Sequence, residues 1–212
     1  MVAVDIIGGS GRSEPNSNYY SQFSQVVWID EVMDALQIQK AHICGVSYGA
    51  YLSYLYTLKR PDRVNKAVCL AGRIPSSQFE VMMKMMAAFL PEALFPSEKS
   101  CRRLLNKLTA PGSIVFQENE ALMRHWYYLL KYFNNRSMMQ HKIEIHPNHE
   151  LKMLKKNTLF LIGEYDRLTN YKKAIHRLDE NELNYTVIRD AGHAINHEQA
   201  AVINREIVGF LS

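Results

Sequence analysis

A serine between two glycines is the strongest candidate for chemistry in the chain. Residues 42–51 form an apolar strand pattern that runs through Gly45, Ser47 and Gly49 directly into a helix. Such a turn, called here the elbow (residues 45–49), strains the backbone and projects the serine hydroxyl from the top of a sheet. We expect both glycines because the strand and the helix approach too closely for a side chain at either position. Ser47 is therefore a predicted nucleophile, and a plain Gly/Ser turn is the alternative.

The Tyr48 backbone N–H is the matching candidate for an oxyanion donor. It follows Ser47 and lies at the N-terminus of the predicted helix. Negative charge that develops at a helix N-terminus is stabilised by the helix dipole and by unpaired amides. The pattern thus places a nucleophile and one electrostatic stabiliser in adjacent residues.

An acid and a base follow, each beyond the carboxyl end of a predicted strand. Asp166 follows the strand Thr158 to Ile162, and His193 follows Tyr185 to Ile188. The carboxyl ends of parallel strands share one edge of the sheet, so distant residues converge there. A serine hydroxyl needs a base to take its proton, and a carboxylate holds the imidazole in the right tautomer. The order Ser47, Asp166, His193 is typical of an elbow-type triad.

Each partner has a rival in the sequence. His193 has the alternative of being a surface loop histidine, and His197 competes with it. We favour His193 because it follows a strand and an Ala-Gly pair. Asp166 could instead cap the next helix, and Glu164 and Asp190 are the rival candidates for the acid. Asp190 lies too near His193 in the same loop to be the first choice.

Composition limits the class of protein. A chain of 212 residues with 47% hydrophobic residues suits one large domain, or one domain with an insertion. The formal charge of +4 is mild and scattered, which argues against nucleic-acid binding. No apolar run approaches the roughly 20 residues that span a bilayer, and no signal peptide opens the chain.

The cysteines and histidines suggest neither disulfides nor a metal site. Cys44 and Cys69 lie inside apolar strand-like runs, so we expect buried thiols, with Cys101 as an odd third cysteine. This usage fits a reducing compartment, and a cytoplasmic location is the default expectation. No His, Cys or Asp cluster has metal-ligand spacing, so no metal and no cofactor are predicted.

Alternating strands and helices predict an α/β fold with a mostly parallel sheet flanked by helices. We expect a first strand at Val2 to Ile7, a helix capped by Asn16 or Ser17 that ends near Leu36, and a strand at Ala41 to Val46. A helix at Tyr51 to Lys59 and a strand at Val64 to Ala71 follow. After residue 157 the pattern resumes with the two strands above and with helices at Leu168 to Leu178 and Ile195 to Leu211.

Residues 75–157 break this alternation. Met-rich and aromatic helical runs at Phe79 to Leu90 and at Leu122 to Phe133 replace the strands, and prolines interrupt them. We predict a helical lid at 75–157 inserted into a core formed by 1–74 and 158–212. Ordinary helix packing explains the methionines, and the alternative is that some of them line an apolar cavity.

Together these motifs resemble the α/β-hydrolase-fold enzymes, and within them bacterial carboxylesterases of the carboxylesterase NP type. The resemblance implies Ser47 as nucleophile, Asp166 as acid, His193 as base and a lid at 75–157. It rests on Val4-Asp5-Ile6-Ile7-Gly8 with Gly11-Arg12-Ser13, Gly45-Val46-Ser47-Tyr48-Gly49-Ala50, Arg60-Pro61-Asp62-Arg63-Val64, Leu161-Ile162-Gly163-Glu164-Tyr165-Asp166, and Ala191-Gly192-His193 with Glu198-Gln199.

The sequence departs from the family pattern on its N-terminal side. The family's first three strands have no counterpart in residues 1–212, and the loop after the third strand supplies the second oxyanion N–H. That strand lies between those matched by 2–7 and by 41–46. We therefore expect a truncated hydrolase, or a first strand that has moved across to the elbow strand. An exposed sheet edge invites association, so a homodimer through that edge is a further expectation.

Two functions follow from this reasoning. The first is hydrolysis of small to medium carboxylic esters through an acyl-enzyme on Ser47, with Tyr48 N–H as the remaining oxyanion donor. Losing one oxyanion donor costs roughly 100- to 1,000-fold in rate, so we expect impaired activity. The second is a non-catalytic protein that binds a hydrophobic ligand in the same pocket or a partner at the sheet edge.

Overall fold

The computed structural model describes residues 1–212, except for the side chain of residue 135. One sheet of four parallel strands forms its centre, in the order β1-β2-β3-β4. The strands are β1 Ala41–Val46, β2 Val64–Leu70, β3 Thr158–Gly163 and β4 Asn184–Ile188. Sheet order therefore follows chain order, with a helical crossover between each pair of neighbouring strands.

Ten α-helices accompany the sheet in the described part of the chain. They are α1 Ser17–Ser21, α2 Gln25–Ala35, α3 Tyr48–Lys59, α4 Gln78–Leu94, α5 Glu98–Leu108, α6 Glu120–Tyr132, α7 Asn148–Leu151, α8 Tyr171–Glu180, α9 Ile195–Glu198 and α10 Ala200–Leu211. Short 3-10 helices lie at Pro61–Arg63, Asn135–Met138 and Lys152–Lys156. Helices α4 to α7 all lie between β2 and β3.

Hydrophobic side chains cover both faces of the central strands. All six residues of β3 are buried, as the unbroken apolar run of an interior parallel strand indicates. On one face Phe160 and Ile162 pack with Tyr54 and Leu55 of α3. On the other face Leu159 and Leu161 belong to a cluster that α10 covers. The sheet is thus held between two helical layers.

The predicted first strand, Val2 to Ile7, is wrong. This segment has no strand conformation, and β1 pairs with β2 alone among the described strands. A strand needs a neighbouring strand to hydrogen-bond its backbone groups, and none of the described strands lies beside this segment. It is held instead by single contacts, such as the 2.7 Å hydrogen bond from His141 Nε2 to the Ile7 carbonyl. The alternative that it moves across to pair with β1 is also wrong.

The edge position of β1 changes which side chains are buried. Cys44, expected inside, is exposed, whereas Cys69 on β2 is buried as predicted. Successive side chains of a strand point to opposite faces. Ile43 packs toward the cluster that contains Met33, while Cys44 and Val46 on the other face are exposed. A homodimer through this edge stays a prediction.

Two long predicted helices are each divided. The Asn16–Leu36 helix consists of α1 and α2, because Ser24 begins a second helix by accepting the Val27 N–H at 3.4 Å. The C-terminal helix is likewise split at Gln199 into α9 and α10. The apolar face of α10 stays on the core, whereas Tyr20 and Val27 in the first divided helix are exposed.

Residues 75–157 contain helices and no β-strand in the part that the structure describes. The buried cluster between α5 and α6 includes Cys101, Leu105 and Phe116, and Ala194 from the C-terminal part of the chain joins it. This segment therefore packs on the strand-bearing part of the chain. Its treatment as a separate lid stays a prediction.

Of the two elbow glycines, Gly45 alone is required by close packing. A Cβ at Gly45 would lie 2.1 Å from the Gly49 carbonyl oxygen and 2.8 Å from Ser53 Oγ. A Cβ at Gly49 would point into open space, with nothing within 4 Å. The expectation that both glycines allow a close approach is thus wrong for Gly49, because a Cβ there would meet no atom within 4 Å.

We expect Gly45→Ala to lower the free energy of unfolding by roughly 1–3 kcal/mol, since the added methyl must displace backbone. The matched change Gly49→Ala adds the same methyl within the same turn. It should be neutral or stabilising by about 0.5–1 kcal/mol, because alanine favours a helix over glycine. Urea denaturation of both variants measures the difference. Equal destabilisation by the two changes would contradict the proposed packing at Gly45.

Candidate active site

Ser47 occupies the strained turn between β1 and α3. Its backbone angles are φ 55° and ψ −112°, a region that L-residues rarely adopt. Its N–H donates to the Leu70 carbonyl at 2.8 Å, and its carbonyl accepts the Ala50 N–H at 3.0 Å. The turn is therefore tied to β2 on one side and to the first turn of α3 on the other.

The structure brings Ser47, His193 and Asp166 into one hydrogen-bonded chain. His193 Nε2 lies 2.8 Å from Ser47 Oγ, and His193 Nδ1 lies 2.9 Å from Asp166 Oδ2. An ionised carboxylate only accepts, so Nδ1 carries the proton and the Ser47 hydroxyl donates to Nε2. Asp166 is 2% exposed, and its other oxygen accepts the Thr169 N–H at 2.9 Å. The geometry suits proton transfer from serine to imidazole.

The loop that carries His193 is clamped by a carboxylate to which sequence reasoning assigned no role. Glu198 Oε2 accepts the Gly192 N–H and Glu198 Oε1 accepts the Ala110 N–H, both at 2.7 Å. The Ala194 N–H also donates to the Leu108 carbonyl at 2.9 Å. These bonds connect the His193 loop to the C-terminal end of α5 and to Ala110 just after it. Glu198 is therefore a positioning residue for His193.

The rival residues lie in other surroundings. The His197 ring contacts the Phe116 ring with centroids 5.2 Å apart, and burial lowers the pKa of His197. Asp190 is exposed with φ 52°, and its carbonyl accepts the Gln199 side-chain amide at 3.3 Å. The bonded carboxylate of His193 is thus Asp166 in the described structure.

A cavity of about 140 Å³ lies at Ser47 and is called here the Ser47 cavity. Its walls are mostly apolar and come from α3, α4 and the segments beside them. Met85 and Val81 of α4 line it, so part of the Met-rich segment faces this space. Two cations, Arg73 and Lys84, are also among its lining residues. The lining residues are Ser47, Tyr48, Tyr51, Ala71, Arg73, Pro75, Val81, Lys84, Met85, Ile143, Leu168, Thr169 and His193.

Tyr48 contributes through both its backbone and its side chain. As the first residue of α3 its N–H has no intrahelical acceptor, which leaves it available to an oxyanion. Its hydroxyl lies 2.8 Å from His141 Nδ1, and His141 Nε2 lies 2.7 Å from the Ile7 carbonyl. A carbonyl only accepts, so Nε2 is the protonated nitrogen and the Tyr48 hydroxyl donates to Nδ1. This relay joins three distant segments beside the elbow.

Metal ligands do not cluster in the described part of the chain. No group of three or more His, Cys, Asp or Glu side chains there is arranged to hold a metal ion. The three cysteines are free thiols.

No helix among the described residues has the length and apolar character that crossing a membrane requires. The cytoplasmic location stays a prediction.

Comparison with known proteins agrees with the fold. A family model described as alpha/beta hydrolase fold matches residues 2–95. The crystal structure of carboxylesterase CesB (YbfK) from Bacillus subtilis matches with a TM-score of 0.76, covering 98% of this chain and 72% of that one at 20% identity. The chain has an α/β-hydrolase fold. The resemblance seen in its motifs is thereby confirmed.

Several proteins with similar sequences are named carboxylesterases or hydrolases. Carboxylesterase YbfK of Bacillus subtilis is 22% identical over 220 residues, which cover 99% of this chain and 70% of the relative. The uncharacterized carboxylesterase nap of the same organism is 24% identical, covering 99% of this chain and 69% of the relative. A 2-hydroxy-6-oxononadienedioate/2-hydroxy-6-oxononatrienedioate hydrolase of Escherichia coli is 27% identical over the whole chain and 76% of its own length. These names support a hydrolase.

Sequence reasoning missed three residues of this site besides Glu198. Arg73 lies three residues beyond β2, so the rule that placed Asp166 and His193 at strand ends could have found it. Lys84 and His141 lie in the helical segment, whose approach to the elbow has no signal in local sequence pattern. They required the tertiary structure.

The His141 relay predicts a pH-dependent stability. Burial lowers the pKa of His141, so the folded state prefers the neutral ring. The stability from this site is therefore present above the ordinary histidine pKa of about 6.5 and is lost as pH falls through the lowered value. His141→Gln should cost roughly 1–3 kcal/mol at pH 7.5, because buried hydrogen bonds are lost. That cost should shrink by pH 5, measured by urea denaturation at both pH values.

The matched control is His125→Gln on α6, which replaces an exposed histidine. This variant should unfold like the wild-type protein at both pH values. A cost of His141→Gln that is constant between pH 7.5 and pH 5 would contradict the neutral-ring assignment.

Proposed function

We propose that this chain is a serine hydrolase that cleaves small to medium carboxylic esters through an acyl-enzyme on Ser47. The observation that carries the proposal is the continuous hydrogen-bonded chain Ser47–His193–Asp166, with links of 2.8 and 2.9 Å. Three side chains separated by up to 146 residues meet at one strained turn. Such an arrangement has a direct chemical use in acyl transfer.

Acylation begins when Ser47 Oγ attacks the ester carbonyl and His193 Nε2 takes its proton. The imidazolium that forms is stabilised by Asp166, which is already bonded to Nδ1. The developing oxyanion accepts the Tyr48 N–H at the N-terminus of α3. His193 then gives its proton to the leaving alcohol. Water, activated by the same nitrogen, releases the acid and regenerates Ser47.

The Ser47 cavity supports the substrate class. Its volume of about 140 Å³ suits a short acyl or alcohol group rather than a long peptide, and its α3 and α4 walls are largely apolar. Two of the relatives that cover nearly the whole chain are named carboxylesterases, which favours an oxygen ester, whereas the Escherichia coli relative is named for a different substrate. The described site offers Tyr48 as its assigned oxyanion donor, so we expect turnover below that of a site with two donors.

Hydrolysis of p-nitrophenyl acetate and butyrate tests the proposal. Ser47→Ala and His193→Ala should lower kcat by roughly 10⁴- to 10⁶-fold or to background, because each removes a member of one catalytic unit. Asp166→Asn should cost about 10⁴-fold, because it favours the wrong imidazole tautomer. His197→Gln in the adjacent helix α9 is the matched control and should retain turnover.

Labelling with a fluorophosphonate probe separates chemistry from substrate choice. The wild-type protein should be labelled and Ser47→Ala should not, whichever ester is turned over. A folded wild-type protein that is neither labelled nor active above Ser47→Ala would contradict the proposal. It would favour the alternative, a hydrophobic-ligand-binding protein on the same scaffold.

A further inference from the structure

A largely buried guanidinium faces the Ser47 cavity without a hydrogen bond. The Arg73 side chain is 16% exposed, and its ion-pair contact in the described structure is Glu80 Oε1 at 3.6 Å, beyond hydrogen-bond distance. Burial lowers the pKa of Arg73, while Glu80 and Asp166 nearby oppose that change. A guanidinium carries five N–H donors, which a charged oxygen acceptor satisfies best. Arg73 is thus a cation beside the triad whose N–H groups make no hydrogen bond in the described structure.

A second cleft continues from the Ser47 cavity at this residue. It has a volume of about 460 Å³, runs along α8 and is called here the α8 cleft. Arg73, Pro75 and Thr169 line both spaces, so the two are adjacent. Thr169 is 4% exposed, and its hydroxyl has no hydrogen-bond partner among the described residues. The junction between the two spaces therefore holds unused polar groups.

The α8 cleft is cationic. Its lining includes four cationic side chains, Arg73, Lys172, Lys173 and Arg177, against two carboxylates. Both carboxylates are already in ion pairs: Glu80 with Lys84 at 3.1 Å, and Glu180 with Arg177 at 3.9 Å.

The two lysines at the start of α8 are not neutralised in the same way. Lys172 and Lys173 are exposed, and no carboxylate lies within 4.0 Å of either ammonium in the described part of the structure. A concave surface with excess charge of one sign focuses its field on ligands of the opposite sign. The α8 cleft is therefore suited to an anion.

We infer that the ester cleaved at Ser47 carries an anionic oxyacid group, a carboxylate or a phosphate, which Arg73 binds. This inference rests on the proposed function and names its substrate class. The reacting ester lies in the apolar Ser47 cavity, and its anionic end extends past Arg73 toward Lys172 and Lys173. A planar guanidinium pairs with two oxygens of either group, which gives both affinity and orientation.

Arg73 and the two lysines contribute unequally to anion binding. Arg73 is mostly buried, so its attraction for the anion is weakly screened, whereas the exposed lysines act through solvent and weaken with salt. Glu80 competes with the ligand, because it is ionised and faces both Arg73 and Lys84. The Lys84 ammonium, together with Arg73, lowers the pKa of Glu80. Removing the Glu80 charge should therefore strengthen anion binding.

Ligand binding to the catalytically silent Ser47→Ala protein tests the inference without requiring turnover. Calorimetry compares heptanoate, hexyl phosphate and the neutral 1-heptanol, which share an alkyl chain of similar length. We expect at least one anion to bind roughly 10- to 100-fold more tightly than 1-heptanol, the range for hydrogen bonds to charged groups. The anion that binds more tightly, heptanoate or hexyl phosphate, identifies the oxyacid group as a carboxylate or a phosphate.

Variants in that background assign the effect to Arg73. Arg73→Gln should remove the preference for the anion, and Glu80→Gln should raise anion affinity about threefold or more, which a merely structural role would not do. Arg205→Gln removes an exposed cation on α10 and is the matched control that should keep the preference.

Anions that bind no better than 1-heptanol, or an anion preference that survives Arg73→Gln, would overturn the inference. Should Arg73→Gln fail to fold, unchanged or weaker anion binding by Glu80→Gln would overturn it as well. Because Ser47 is absent throughout, these results are independent of ester turnover. A folded wild-type protein that is neither labelled nor active would refute the proposed function without changing them.

Discussion

The parallel backbone ladder at the carboxyl ends of the strands is the constraint on which the site depends. Ser47 N–H bonds to the Leu70 carbonyl at 2.8 Å, Ala71 N–H to Leu161 at 2.9 Å, and Glu164 N–H to Ile188 at 3.0 Å. Each bond continues the ladder one residue past a strand. The loops that carry Ser47, Asp166 and His193 therefore start from one aligned edge. Side-chain links of 2.8 and 2.9 Å between them follow from that alignment.

The helical segment between β2 and β3 supplies what the ladder cannot. The proposed triad by itself would define a reaction but no substrate. Met85 and Lys84 of α4 and Ile143 close the cavity around Ser47, while His141 connects the elbow helix to the Ile7 carbonyl. Arg73 at the end of β2 adds a cation where the cavity meets the α8 cleft. Chemistry is thus placed on the rigid sheet edge, and selectivity on the segments that pack above it.

Errors in the sequence-based expectations have a common physical cause. Val2–Ile7 has the residue types of a strand, Cys44 lies in an apolar run, and Gly49 belongs to a glycine-rich turn. Each local pattern is compatible with the interior of a sheet. What differs is the neighbour: no strand pairs with 2–7, β1 is an edge, and the Cα hydrogen of Gly49 faces open space. Local pattern encodes propensity, whereas pairing and contact depend on residues far away in the chain.

Local patterns in the amino-acid sequence were enough to specify the fold class and the four strands of the sheet within a residue or two. They also singled out Ser47, Asp166 and His193 as the candidates that converge, because period, turn chemistry and position after strands are local properties. Three facts emerged from the folded chain instead: β1 is the edge strand, Glu198 clamps the His193 loop, and Arg73 lies in two adjoining spaces without a hydrogen-bond acceptor. Those facts arise from packing between distant segments, which no local pattern specifies.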